Sequence, residues 1–128
     1  MRLVAVILIL LTSVACKSVN TRNEVGTPMR MTKQEFAAYT EATFRHHNTV
    51  MNDLILLSSL GSEEELADPQ LVRAEHDMTE ACKPLNEMVT ATIEGVPLTM
   101  WSKLQLPNQV PACEAATQRV EAVMPETF

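Results

Sequence analysis

The chain has 128 residues, with ten Lys and Arg against sixteen Asp and Glu, a formal charge of −6, and five aromatic side chains. That length fits one small domain, and acids spread along the chain with no basic cluster exclude nucleic acid and disfavour anionic lipid headgroups as partners of the folded part. Scarce aromatics and few β-branched runs, beside abundant Ala, Leu, Met, Glu and Gln, predict an all-α fold.

Arg2, the apolar run Leu3 to Leu11 and a small-residue exit read as a secretory signal peptide over residues 1–15. Residues 3–16 are uncharged, but at fourteen they fall short of the roughly 20 that span a bilayer as a helix. The exit Thr12-Ser13-Val14-Ala15-Cys16 resembles the lipobox of bacterial lipoproteins. Ala15 is the small residue expected before the cysteine, while Ser13 stands where the commonest lipoboxes carry Leu. The resemblance implies cleavage after Ala15, lipidation of Cys16 on its sulfur and its new amine, and a membrane held through those acyl chains. Lys17 occupies the position where an Asp would retain a Gram-negative lipoprotein at the inner membrane, so the implied address is the periplasmic face of the outer membrane. The alternative is a secreted protein cleaved near Ala15 with a free thiol. Of the ten bases only Arg2 precedes residue 16, so a chain beginning at Cys16 carries nine bases against sixteen acids, a net charge of −7. Three cysteines leave an odd thiol in an oxidising compartment unless Cys16 is lipidated, and then Cys82 and Cys113 remain as a pair.

Residues 16–31 read as a lipidated cysteine and a flexible tether, because Lys17 to Met31 is polar, holds Gly26 and Pro28 and shows no apolar period; the alternative is a segment that packs back on the domain. Fifteen such residues have a reach of about 20 Å and a contour of about 50 Å, enough to hold the domain clear of the headgroups. The domain proper is residues 32–128. Thr32 and Glu35 form a capping box, with Met31 and Phe36 as its staple, and predict a helix start. Phe36, Tyr39, Thr40, Thr43, Phe44, His47, Val50, Met51, Leu54 and Leu57 then share one face, with Glu41, Arg45, Asn48 and Asn52 opposite, and Gly61 closes the helix near Leu60. Ser62 to Glu65 predicts one short helical turn.

Asp68-Pro69 predicts the start of a second helix, with Asp as cap and Pro at its first position. Its stripe runs Leu71, Ala74, Met78, Ala81, Cys82, Leu85, Met88, Val89, Thr92 and closes at Gly95, with Pro84 expected to kink or split it. Pro97 and Pro107 bracket a short helix or turn over 98–106. A last helix runs from about Pro111 to Met124, with Cys113, Ala116, Thr117, Val120, Val123 and Met124 on one stripe. The expected architecture is a small bundle of three principal helices plus one short helix, closed by one disulfide. Cys82 and Cys113 each sit on the apolar stripe of their helix, so the stripes can face each other and bring the sulfurs into bonding distance; closing about 31 residues contributes about 3 to 4 kcal/mol, and two buried free thiols are the alternative.

His47, Met51, His76 and Met78 offer imidazole and thioether groups that could hold Cu(I), which makes a metal-binding or metal-sensing lipoprotein the alternative function. Core filling explains the methionines without a metal, and no cofactor is expected. Thr32 to Glu35 is similar to the Leu-Thr-x-x-Gln motif of hooked-hairpin periplasmic chaperones and metal sensors, with Glu35 at the glutamine position and no second copy. No nucleophile elbow, zinc-protease motif or phosphate loop occurs, so no enzyme and no catalytic residue is expected. The main expectation is a lipid-anchored helical protein that acts by binding an envelope protein. By architecture it looks like the pilotins that escort secretin subunits, and an inhibitor or immunity role is of the same class. Met88, Met100, Trp101 and Leu104 are expected to line an apolar opening for that partner, with Trp101 either as anchor or as a plug over the bundle end.

Overall fold

Local capping starts the first two helices where the sequence placed them. The computed structural model describes residues 18–60 and 68–125, so the lipobox and the predicted turn at Ser62 to Glu65 lie outside the described residues. α1 spans Lys33–Leu60. Its capping box is closed: Thr32 Oγ1 accepts from the Glu35 N–H at 3.1 Å, and Glu35 Oε2 accepts from the Thr32 N–H at 2.7 Å. α2 spans Pro69–Ile93, with Asp68 Oδ1 accepting from the Gln70 N–H. It ends in a Schellman turn. Gly95 takes φ +70°, its N–H reaches Thr92 O, and the Val96 N–H reaches Ala91 O. Of the two outcomes expected of Pro84, a kink or a split, the split does not occur: α2 runs through it.

The larger difference is α3, one helix spanning Met100–Val123 with Pro107 and Pro111 inside it. The separate short helix over 98–106 therefore does not exist, and Thr99 rather than Pro111 marks the helix start, its Oγ1 accepting from the Ser102 N–H. A proline removes the N–H that would bind the carbonyl four residues earlier. Pro111 thus leaves the Pro107 carbonyl without its helical donor.

That donor comes from the segment expected to be a tether. Residues 18–32 form an antiparallel hairpin of β1, Ser18–Arg22, and β2, Pro28–Thr32, in the register Ser18↔Thr32 through Arg22↔Pro28. Its loop is closed by Asn23, whose Oδ1 accepts from the Thr27 N–H, and by Gly26 at φ +87°. Thr21 on β1 is only 4% exposed, and its Oγ1 donates to Pro107 O at 2.5 Å. The hairpin docks because the helix offers it an acceptor. Its few apolar residues, Val19, Met29 and Met31, share the face of Thr21 by strand alternation, while Ser18 and Arg30 bond on the other face.

α3 is the central element, packing most closely on α2 and also on α1 and β1, whereas α1 and α2 touch little. The core is Val50, Leu54 and Leu57 from α1, Leu71, Met78, Cys82 and Leu85 from α2, and Val110, Cys113, Ala116 and Val120 from α3. The predicted stripe of α1 is inward throughout, and its predicted polar face is exposed. The fold is mostly helical, as expected, with a small two-stranded sheet added.

Candidate functional site

The Cys82–Cys113 disulfide staples α2 to α3, with Cα atoms 4.5 Å apart and both residues fully buried. Thr117, one turn beyond Cys113, donates to the Cys113 carbonyl at 2.9 Å and places its hydroxyl 3.7 Å from Cys82 Sγ.

A polar ridge of α1 reaches this staple through His47. Tyr39, Thr43 and His47 recur every four residues, so they stack on one side of the helix. Tyr39 OH, Thr43 Oγ1 and His47 Nδ1 are buried without a hydrogen-bond partner among the described residues, while His47 Nε2 lies 3.3 Å from Asn86 Nδ2. Burial, with the neighbouring His46 charge adding to it, lowers the His47 pKa. Burial, then the charges of Glu114 and Glu24, pushes the Tyr39 phenol up to about 12.

The four candidate metal ligands are not gathered as one set. His76 is exposed while Met78 is fully buried, as two residues on a helix point to different sides. His47 instead lies with Cys82 and Cys113, their ligand atoms all within 4.8 Å of one another. The two sulfurs are bonded to each other, and a disulfide offers a metal no thiolate.

His46, which the sequence reading passed over, clamps α1 to α3. Its Nδ1 lies 2.9 Å from Glu114 Oε1 and its Nε2 2.9 Å from Glu121 Oε2. Burial opposes the charged ring, but the bonds to the two carboxylates outweigh it and hold the His46 pKa above its usual value.

The four expected partner-binding residues divide into two places. Met88 is half-buried and borders an apolar groove of about 460 Å³ between α1 and α2. Phe36, Phe44, Val89, Ile93 and Leu106 complete its apolar walls, with Lys33 and Glu41 among the polar residues that also line it. It exists because α1 and α2 both pack on α3 and little on each other, so Leu106 of α3 lies between them. Met100, Trp101 and Leu104 do not line this groove. At about 100° per residue they lie on the side of α3 opposite the stripe of Leu106, Val110, Cys113 and Thr117. Trp101 is 69% exposed, so it plugs nothing.

The sequence did hold a signal for the groove. Phe36, Thr40 and Phe44 form an apolar face wider than the seam with one neighbouring helix needs.

Among the described residues, hairpin, groove and staple together define a disulfide-linked bundle of three helices with an open apolar flank. Comparison with protein-family models, curated proteins and solved structures finds no match.

Proposed function

We propose that the chain is a lipid-anchored, periplasm-facing helical protein, held at the outer membrane through Cys16, that acts by binding another envelope protein. The observation that carries the reading is the apolar groove between α1 and α2. From Lys33 to Phe44 it follows three turns of α1, about 16 Å, a length that takes apolar anchors of a partner helix spaced i, i+4 and i+7. Adaptable Met88 and the rings of Phe36 and Phe44 suit such a face, and Lys33 and Glu41 supply polar side chains beside it. A small helical lipoprotein with an internal disulfide is the architecture of the pilotin class, which makes an escort or an inhibitor of an envelope protein the roles within reach.

Photo-crosslinking in cells tests the groove. Probes at Ala37 and Thr92, on opposite walls, should capture the same protein, and a probe at the outward-facing Asn48 should not. Ala37→Glu should weaken that capture about tenfold or more, the loss equivalent to about 1.4 kcal/mol, with the melting temperature unchanged. Equal capture from Asn48 would overturn the groove. The anchor has its own test: wild-type protein should incorporate labelled palmitate and Cys16→Ser should not.

A further inference from the structure

We propose that the exposed apolar ridge formed by Met100, Trp101 and Leu104 rests on the lipid bilayer that holds Cys16, as a second membrane contact beside the acyl chains. The inference rests on the acylation of Cys16 proposed above. It starts from the hairpin, which occupies nearly all of the expected tether. β1 begins at Ser18, two residues after Cys16, and two residues reach no further than about 7 Å. An acylated Cys16 therefore keeps the domain against the headgroups.

The fold decides which surface meets them. Ser18 pairs with Thr32, the residue that caps α1, and Lys33 and Phe36 line the same groove as Thr92 and Ile93 at the end of α2. The hairpin loop from Arg22 to Gly26 lies against Asn108 to Ala115, and Thr21 against Pro107. Followed back towards Ser18, β1 thus heads for the beginning of α3. The start of β1, the start of α1, the end of α2 and the start of α3 meet at one end of the bundle.

At that end the turn from α2 into α3 is apolar and uncovered. Ile93, Val96, Met100, Trp101 and Leu104 fall within twelve residues and are all more than half exposed. The exposed Ile55, Leu56, Leu60 and Val72 belong to the other ends of α1 and α2, away from Ser18. A Trp ring has an apolar body and a polar N–H, which suits the boundary between headgroups and chains, and Lys103 can lay its stem on that boundary with its charge in water. Among the described residues no helix is long and apolar enough to cross a membrane, so the contact is one of resting on the surface.

Trp101 is the only tryptophan, so its emission reports the surface directly. The acylated full-length mature protein would be placed in phosphatidylethanolamine and phosphatidylglycerol vesicles, with and without dibrominated chains, after the mass of its N-terminal peptide has established acylation. Brominated chains should quench Trp101, and its emission should lie at shorter wavelength than that of an acylated Leu104→Glu protein of equal helicity. Leu104→Glu should also lose the quenching. Acylated protein that sediments with vesicles, yet emits equally in both kinds at the wavelength of exposed Trp, would overturn the ridge while leaving the anchor intact. A shift that grows with protein density without bromine quenching would assign the ridge to a second copy and overturn the bilayer. An unacylated Cys16 would overturn anchor and ridge together.

Discussion

Replacing Thr21 by Val tests the account of how a proline-bearing helix and a polar hairpin hold each other. The change keeps the β-branch and improves strand propensity, so propensity alone predicts no loss. The hydrogen-bond account predicts the opposite sign. Thr21 Oγ1 is the described donor to Pro107 O, and the helix cannot supply one because residue 111 is proline. Removing the hydroxyl forfeits a bond worth about 1 kcal/mol net and leaves a part-buried carbonyl unsatisfied, which raises the expected cost to about 2 kcal/mol. The assay is urea unfolding of four proteins: wild type, Thr21→Val, Pro111→Ala and the double variant. Ala at 111 restores an N–H to the helix, so Thr21→Val should cost about 0.5 kcal/mol or less in that background. The coupling of about 1.5 kcal/mol is the signature. Equal costs of Thr21→Val with and without Pro111 would refute the reasoning.

Replacing Cys82 and Cys113 with Ala releases a closure of 31 residues, worth about 3.7 kcal/mol in the chain-entropy account, and should lower the melting temperature by about 15 °C or more with helical content retained. Thiol labelling of the unfolded, non-reduced protein should modify neither residue. His46, with its pKa raised in the fold, adds stability that is fully present below about pH 6.5 and is lost as pH rises through its folded value, so His46→Gln should remove that portion, of the order of 1 kcal/mol after solvent screening. His47 runs the other way. Its lowered pKa means stability is lost as pH falls below about 6.5, where the unfolded ring takes a proton more readily than the folded one. Melting curves between pH 5 and 8 should therefore slope more steeply towards acid instability in His46→Gln than in wild type. The disulfide-bonded protein should bind no Cu(I) more tightly than micromolar, measured by competition with a chromogenic chelator, because its cysteines offer no thiolate.

What the sequence determined by itself is whatever neighbours along the chain decide. The capping box at Thr32 and Glu35, the Asp68-Pro69 start and the closing Gly95 are satisfied within a few residues, and the structure keeps all three. The α1 stripe follows from helical period alone, and the pairing of Cys82 with Cys113 follows from the two apolar stripes that carry them. The hairpin was legible only in part. Val19 alternates with Thr21 and Met29 with Met31, and Asn23 to Gly26 has turn chemistry, but two short strands with so little apolar surface gain too little by themselves to predict. Their stability comes from α3. The continuity of α3 was likewise hidden, because two prolines argue for a break and the donor that answers the Pro107 carbonyl stands 86 residues away in the chain. That contact settles more than one helix. With α3 unbroken, helical phase turns Met100, Trp101 and Leu104 outward, and residues 18–32, expected to be a tether, are folded against it. The tertiary structure decided both through a hydrogen bond that no local pattern encodes, between a strand with a spare donor and a helix with a spare acceptor.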